Sequence, residues 1–159
     1  DETGGYYHPD HIFCWKITSA AFAAAADPAQ YPEIGPAPYQ AQRLYYTGFS
    51  NRMVKVFAWL MRLRGQDPKR AGRNKDIDWT RIGIEPRRLH AHIDYRRYWE
   101  AKRTAGAAHA SQGGGMARSR LLPEPIQRRT MATETFIRAY PPAPDGFRER
   151  DLFADVIED

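Results

Sequence analysis

The segment that most constrains the fold lies at the start of the chain, where two glycines and a proline enclose several reactive side chains. Gly4 and Gly5 permit positive φ angles and a close backbone approach. Pro9 suits the first turn of a helix because its missing N–H would lack a partner there. We therefore predict a turn at the glycines and a helix from Pro9. Two imidazoles, a carboxylate and two phenols then fall within one loop and one helical turn, a set that suits metal binding or proton transfer. Residues 4–11 are called the N-terminal motif below.

Residues 5–11 read Gly-Tyr-Tyr-His-Pro-Asp-His. This resembles the second motif of the LmbE-like, or GlcNAc-phosphatidylinositol de-N-acetylase-like, zinc amidohydrolases. The resemblance implies that His11 binds zinc and that His8 stabilises the oxyanion formed when an amide carbonyl is attacked. It also implies that Asp10 tunes and orients His8, and that Tyr6 contacts the substrate carbonyl.

Enzymes of this family also carry an N-terminal His-Pro-Asp-Asp-Glu motif, which supplies two further zinc ligands and the general-base aspartate. That motif does not occur in this chain. The sequence begins without methionine, at Asp1 and Glu2, which read as the end of a strand. We therefore expect the chain to be the C-terminal part of a longer enzyme.

A second match to the family lies later in the chain, where a predicted helix carries Lys102 and ends in His-Ala-Ser-Gln at residues 109–112. The family commonly has a lysine-bearing helix that ends in His-x-Ser-Gln at this distance. The resemblance places His109 near the substrate pocket or in the packing beneath it. His109 and Tyr7 are therefore the expected substrate-binding residues. The glycines at 113–115 predict a flexible break.

Hydrophobic spacing and breaker residues predict the other elements. Helices are expected at 9–26, 52–64, 95–110 and 123–129, strands at 43–47, 88–93 and 134–140, an extended loop at 28–38 and a mobile loop at 65–75. The first helix is apolar on most sides and is predicted to be buried. The second has Ser50 as its N-cap, and its apolar residues at helical spacing form one face: Met53, Val56, Phe57, Leu60 and Leu63. With the resemblance, the predicted fold is α/β: a Rossmann-like parallel sheet with flanking helices, residues 1–159 being one domain without its N-terminal half.

The net charge of +5 raises the alternative of a basic, non-catalytic module that binds an anion such as nucleic acid. The arginines are spread along the chain with acids among them, and the most basic segment, 69–75, has no aromatic side chains. We therefore expect neither a nucleic-acid partner nor, because no run of about 18 apolar residues occurs, a membrane partner. The single Cys14 cannot form an internal disulfide, which favours a reducing cytoplasm.

Two other pairs of residues have a spacing that suits a metal. His11 and Cys14 are three residues apart on one helical face. A structural zinc site needs more ligands, so Cys14 is expected to be a small core residue. His90 and His92 alternate on a predicted strand and point to the same side. A half-exposed strand edge is the simpler interpretation of that pair.

The reaction implied by the resemblance is zinc-dependent hydrolysis of the N-acetyl group of an N-acetylglucosamine-type amino sugar, a small-molecule substrate. The alternative within the family is cleavage of a larger amide, as in mycothiol S-conjugate amidases. The sequence does not separate these two, because the shape of the pocket decides between them. It also leaves the oligomeric state open.

Overall fold

The computed structural model describes residues 1–35, 37–72, 75, 77–109 and 123–157. The fold of these residues is α/β, as predicted. In chain order the elements are α1 (Pro9–Ala26), β1 (Leu44–Thr47), α2 (Asn51–Leu63), β2 (Ala91–Asp94), α3 (Trp99–Ala108), α4 (Glu124–Thr130) and β3 (Thr133–Tyr140). Short 3-10 helices lie at Pro32–Ile34, Pro86–Arg88 and Arg96–Tyr98. Among the described helices, none has both the length and the apolarity that crossing a bilayer requires.

The sheet is formed by the three strands in the order β1-β3-β2. Strand β3 lies in the centre and runs antiparallel to both neighbours, with Tyr46 opposite Ile137 on one side and Ala91 opposite Phe136 on the other. The predicted parallel pairing is therefore not found among the described strands. Strands β1 and β2, which α2 connects, do run in the same direction, but β3 lies between them. The order of the strands in the sequence does not show that β3, the last of them, pairs between the other two.

Helix α1 contacts strands β1 and β3 through one side of the helix. The Trp15 and Tyr46 rings lie 6.4 Å apart, and the Ser19 hydroxyl is 2.8 Å from the Tyr46 hydroxyl. One turn further on, the Phe22 ring lies 5.2 Å from the ring of Tyr140. Side chains four and then three residues apart share a helical face, which explains this line of contacts. The start of α1 is thereby fixed relative to the sheet.

The opposite side of α1 is open to solvent. Phe13 is 63% exposed and Ile17 is 49% exposed, and Cys14 is exposed as well. The predictions of a buried helix and of a core Cys14 are therefore wrong for the described residues. Helix α1 is apolar on most of its circumference, and the sheet covers only one side of it.

Helix α2 begins after Ser50, the predicted N-cap, although the Ser50 side chain makes no capping hydrogen bond. Its buried residues are Val54 and Ala58, while Met53, Val56 and Leu63 are exposed. Three residues of the predicted apolar face are therefore open to solvent. Apolar residues occupy two adjacent stripes of α2, and spacing alone does not show which one the sheet side covers.

The packing beneath α3 fixes the second half of the molecule. The rings of Tyr95 and Trp99 are stacked with centroids 6.1 Å apart, and both are buried with Ala132. The Tyr95 hydroxyl donates to the Met131 carbonyl at 2.9 Å. These contacts join the start of α3 to the segment that leads into β3.

The mobility expected of residues 65–75 stays a prediction. Within the described part of this loop, Ala71 is buried and exchanges backbone hydrogen bonds with Ile77. A cavity of about 510 Å³ lies beside it, lined by Met61, Asp67 and Arg70 among others. The glycine break predicted at 113–115 lies outside the described residues.

Candidate functional site

A self-contained turn carries the N-terminal motif. One carboxylate oxygen of Asp1 accepts the backbone N–H groups of Thr3 and Gly5, both at 3.1 Å, and the Thr3 hydroxyl at 2.8 Å. The N–H of Tyr7 then donates to the Thr3 carbonyl at 2.8 Å. The strand end expected at Asp1 is therefore wrong. The backbone N–H groups of Thr3 and Gly5 donate to the Asp1 side chain, whereas in a strand they would donate to a neighbouring strand.

Both motif glycines have the positive φ that the sequence predicts, 59° at Gly4 and 80° at Gly5. Only Gly4 is also in close contact. A Cβ on Gly4 would lie 2.7 Å from the Cβ of His11 and 2.7 Å from the backbone nitrogen of Ile12, whereas a Cβ on Gly5 would meet nothing within 4 Å. The backbone of Gly4 therefore lies directly against the first turn of α1.

His8 is the N-cap of α1, with Pro9 in the first turn as predicted. Its Nδ1 accepts the backbone N–H of Asp10 at 3.3 Å. An imidazole that accepts at Nδ1 carries its ring proton on Nε2. In the part of the chain that the structure describes, this donor has no hydrogen-bond partner. The Asp10 carboxylate lies 3.9 Å from the same Nδ1 but its side chain is 87% exposed. Water screens so exposed a contact, so the backbone hydrogen bond orients His8 more than the carboxylate does.

His11 has the opposite arrangement of its ring nitrogens. Its Nδ1 lies 3.2 Å from the carbonyl oxygen of Gly4, and its Nε2 lies 3.5 Å from the hydroxyl of Tyr6. A carbonyl only accepts, so Nδ1 carries the proton and donates it. The lone pair is then on Nε2, on the side of the Tyr6 hydroxyl. Histidines that bind metals have this second-shell pattern, in which the far N–H is held by a backbone carbonyl or a carboxylate.

Three of the four aromatic rings of the motif, those of Tyr6, His8 and His11, form one cluster. The Tyr6 centroid lies 4.8 Å from His11 and 5.7 Å from His8, and the two imidazoles are 5.4 Å apart. The structure thus brings together the four residues with predicted catalytic or metal-binding roles, with Asp10 beside His8. The donor at His8 and the phenol at Tyr6 are suited to polarising a carbonyl, and the lone pair at His11 is suited to binding a metal.

Tyr7 lies between two members of the cluster and has a distant partner. Its φ is 67°, and its ring is 46% exposed. The guanidinium of Arg81 stands over that ring, 4.9 Å from the centroid. A second contact also joins the start of the chain to a distant segment: the side chains of Arg88 and Glu2 lie 4.0 Å apart. Arg81 was missed from the sequence, because no local pattern marks a contact between segments so far apart.

His109 and Lys102, from the second family match, lie on α3. His109 is exposed at the C-terminal end of the helix and donates its backbone N–H to Gly106. Among the described residues, its side chain makes no hydrogen bond, ion pair or ring contact with the motif. Lys102 pairs with Glu134 of β3 and stands 4.9 Å from the Tyr95 ring centroid. Lys102 thus supports the packing of α3, and a substrate role for His109 stays a prediction.

The strand histidines are held by backbone groups. His90 is only 4% exposed, and its Nδ1 accepts the N–H of Arg138 at 3.1 Å. Burial lowers the pKa of His90. The Nε2 of His92 lies 3.0 Å from the Leu89 carbonyl. The half-exposed edge expected of this pair is therefore wrong for His90. Within the described part of the chain, no three His, Cys, Asp or Glu residues are grouped so as to hold a metal.

Comparison with known proteins identifies relatives for nearly the whole chain. It is 35% identical over 162 residues to the mycothiol S-conjugate amidase of Streptomyces coelicolor, which covers 98% of this chain and 53% of the relative. It is 33% identical to the 1D-myo-inositol 2-acetamido-2-deoxy-alpha-D-glucopyranoside deacetylase of Thermobifida fusca, covering 97% of this chain and 52% of the relative. A second such deacetylase, from Frankia alni, is 33% identical, with 98% and 55% covered.

The chain spans about half the length of these curated relatives. No family model matches it. The relatives are named as an amidase and deacetylases, which are amide-hydrolysing enzymes. Over nearly its whole length the chain is thus similar to enzymes of the LmbE-like family, as the N-terminal motif predicts.

Proposed function

We propose that this chain supplies part of the active site of a zinc-dependent N-deacetylase that acts on an N-acetylglucosamine-type amino sugar. The observation that carries the proposal is the orientation of His11, whose Nδ1–H is directed to the Gly4 carbonyl while Nε2 faces the Tyr6 hydroxyl. This leaves one imidazole lone pair beside a phenol. The names of the two deacetylase relatives support the same chemistry.

His11 fits a catalytic zinc as one ligand of several. Such sites usually use three protein ligands, and no group of three is present among the described residues. The other ligands and the general base would therefore come from the rest of a longer enzyme, of which this chain is the C-terminal part. The Rossmann-like parallel sheet is likewise proposed for the complete domain.

Each motif residue then has a distinct role. Zinc, when bound, would activate water and polarise the amide carbonyl. The Nε2–H of His8 donates to the oxygen of that carbonyl as negative charge develops on it. The Asp10 backbone N–H fixes the His8 ring in the tautomer that makes this possible. The Tyr6 hydroxyl contacts the same oxygen from the other side of the cluster.

A second candidate is hydrolysis of a larger amide. The Streptomyces coelicolor relative is named for that activity on mycothiol S-conjugates and is 35% identical to this chain. The two reactions share the carbonyl chemistry proposed for Tyr6, His8 and His11. They differ in what lies beyond the amide, and therefore in the walls of the pocket.

The test is an assay of the complete protein on both kinds of substrate. We expect acetate release from an inositol-linked N-acetylglucosamine, loss of that activity on chelation and recovery with zinc. Faster cleavage of a mycothiol S-conjugate would favour the second candidate. Retention on heparin that falls with salt, without hydrolysis of either substrate, would identify a basic binding module and end the proposal. The cytoplasmic location and the absence of nucleic-acid and membrane partners stay predictions.

A further inference from the structure

We propose that Arg81, whose guanidinium lies over the ring of Tyr7, is a specificity-determining residue that binds the hydroxyl-bearing group joined to the amino sugar, on the side of the substrate away from the acetamide. This inference rests on the proposed deacetylase function. It means that Arg81, which is far from the N-terminal motif in sequence, contacts the substrate.

The segment that carries Arg81 is anchored at both ends. At its start, Ala71 and Ile77 exchange two backbone hydrogen bonds of 2.9 and 3.1 Å. At its end, the N–H of Ile84 donates to the Phe49 carbonyl at 2.7 Å and the N–H of Asn51 donates to the Ile84 carbonyl at 2.9 Å. The Arg81 backbone is therefore tied to the start of α2.

The interior of the segment is also constrained. The backbone N–H of Thr80 donates to the Asp78 carboxylate at 2.9 Å, which closes a local turn just before Arg81. Gly83, with a φ of 114°, lies so close to α2 that a Cβ there would be 2.6 Å from the Cα of Asn51. These contacts place Arg81 at a defined position beside the N-terminal motif.

The Tyr7 ring is held beside the catalytic cluster by its position in the chain. Consecutive Cα atoms are about 3.8 Å apart, so Tyr7 borders both Tyr6 and His8. A non-glycine residue in the left-handed region costs about 1–2 kcal/mol. An exposed cation–π contact contributes about 0.5–1 kcal/mol, so the Arg81 stack offsets only part of that cost. The hydrogen bond from the Tyr7 N–H to the Thr3 carbonyl, at 2.8 Å, also holds Tyr7 in this conformation.

The N–H groups of Arg81 make no hydrogen bond and no ion pair among the described residues, although the positive charge of Arg81 contributes to the lowered pKa of Asp78. A guanidinium carries its N–H groups in one plane, in a fork that matches two neighbouring acceptor oxygens. Adjacent hydroxyls of a polyol present such a pair. An exposed aromatic ring beside them, here that of Tyr7, covers the apolar C–H face of a sugar or cyclitol.

The experiment compares two substrates of the complete protein: inositol-linked N-acetylglucosamine and the methyl glycoside of N-acetylglucosamine, which lacks the polyol. For Arg81→Met we expect KM for the inositol-linked substrate to rise about tenfold, as for loss of a charged hydrogen bond, with kcat unchanged. The methyl glycoside should show no change. Arg81→Lys keeps the charge but not the fork, so it should give an intermediate rise.

The matched control is Arg97→Met, because Arg97 stacks on Tyr98 in the same manner, 5.9 Å from the ring centroid, away from the motif. It should behave as wild type on both substrates. An equal loss on both substrates for Arg81→Met would make Arg81 a support of the motif loop and overturn the inference, as would no change on either. If wild type hydrolyses neither substrate, the proposed function itself fails, and that result is distinct from an active enzyme indifferent to Arg81.

Discussion

The chain contains two pairs of closely spaced histidines, and each of the four has one ring nitrogen held by backbone. The pairs differ in exposure and in their neighbours. His8 and His11 lie at a turn and the first turn of a helix, where His11 is exposed, whereas His90 is buried at the sheet. In the described part of the chain, the first pair has ring contacts with a phenol, that of Tyr6, and no such contact is found for His90 or His92.

This difference separates histidines that can do chemistry from histidines that hold a fold. Spacing along the chain suits a metal in both pairs. In both pairs the backbone partner fixes which nitrogen carries the proton. What separates the pairs is the phenol beside the first pair and the burial of His90 in the second. At His11 the partner is the Gly4 carbonyl, and that contact exists only because residue 4 has no side chain.

The largest effect is expected from His8→Ala in the complete protein. Removal of the Nε2–H donor should lower kcat by a factor of about 10²–10³, as for loss of an oxyanion-hole donor, while zinc content stays at the wild-type level. Kinetics and metal analysis on the same preparation make the check. Loss of zinc from this variant would show that His8 is a ligand, and the two histidines of the motif would no longer have different roles.

The next effect tests the Gly4 contact. Gly4→Ala should destabilise the protein by about 2–4 kcal/mol, since a left-handed alanine and a clash with His11 add together. Gly5→Ala is the matched control: its φ is also positive but its Cβ would meet open space, so about 1–2 kcal/mol is expected. Denaturant unfolding and hydrolysis assays on both variants test this difference. Equal losses of stability and of activity in the two variants would show that the close contact between Gly4 and His11 affects neither.

A smaller effect is expected from Tyr6→Phe. The hydroxyl lies 3.5 Å from the His11 Nε2, too long for a strong hydrogen bond, so its loss should leave zinc content unchanged. Its proposed contact with the substrate carbonyl is worth about a tenfold change in kcat. Activity equal to that of wild type would show that the Tyr6 hydroxyl has no role in the reaction and that Tyr6 only lines the pocket.

The smallest effect concerns the other pair. Burial, with help from Arg148 and against Asp145 and Glu149, lowers the pKa of His90 in the folded state. The unfolded chain then binds this proton first, so the free energy of unfolding should fall as pH drops below about 6.5, the ordinary histidine value, and level off below the folded-state pKa. His90→Gln should flatten this part of the curve, as measured by denaturant unfolding between about pH 7 and 5. An unchanged slope would show that His90 does not titrate as its burial requires.

Local signals in the sequence predicted the motif, and tertiary contacts account for what they missed. The positive φ angles at Gly4 and Gly5 and the helix start at Pro9 depend on those residues and their neighbours. The stack of Arg81 on Tyr7 depends on how two distant segments meet. It therefore left no trace in the spacing of residues.

The sheet and the helix faces show the same division. The strands were predicted close to their observed positions, because alternation and breaker residues are local. Their direction was not, since β3 inserts between β1 and β2. The exposure of Phe13 on α1 was also missed. An apolar sequence predicts a buried helix, but it does not show whether other residues of this chain pack against every side of that helix.

The most direct test of the account is the zinc content of the complete protein carrying His11→Ala, with His92→Ala as the matched control from the sheet. We predict that wild type and His92→Ala hold about one zinc per chain after dialysis against a weak chelator, and that His11→Ala holds almost none, because a catalytic zinc depends on each of its few protein ligands. A full zinc content in His11→Ala would show that His11 is not a zinc ligand, whatever the activity of the variant.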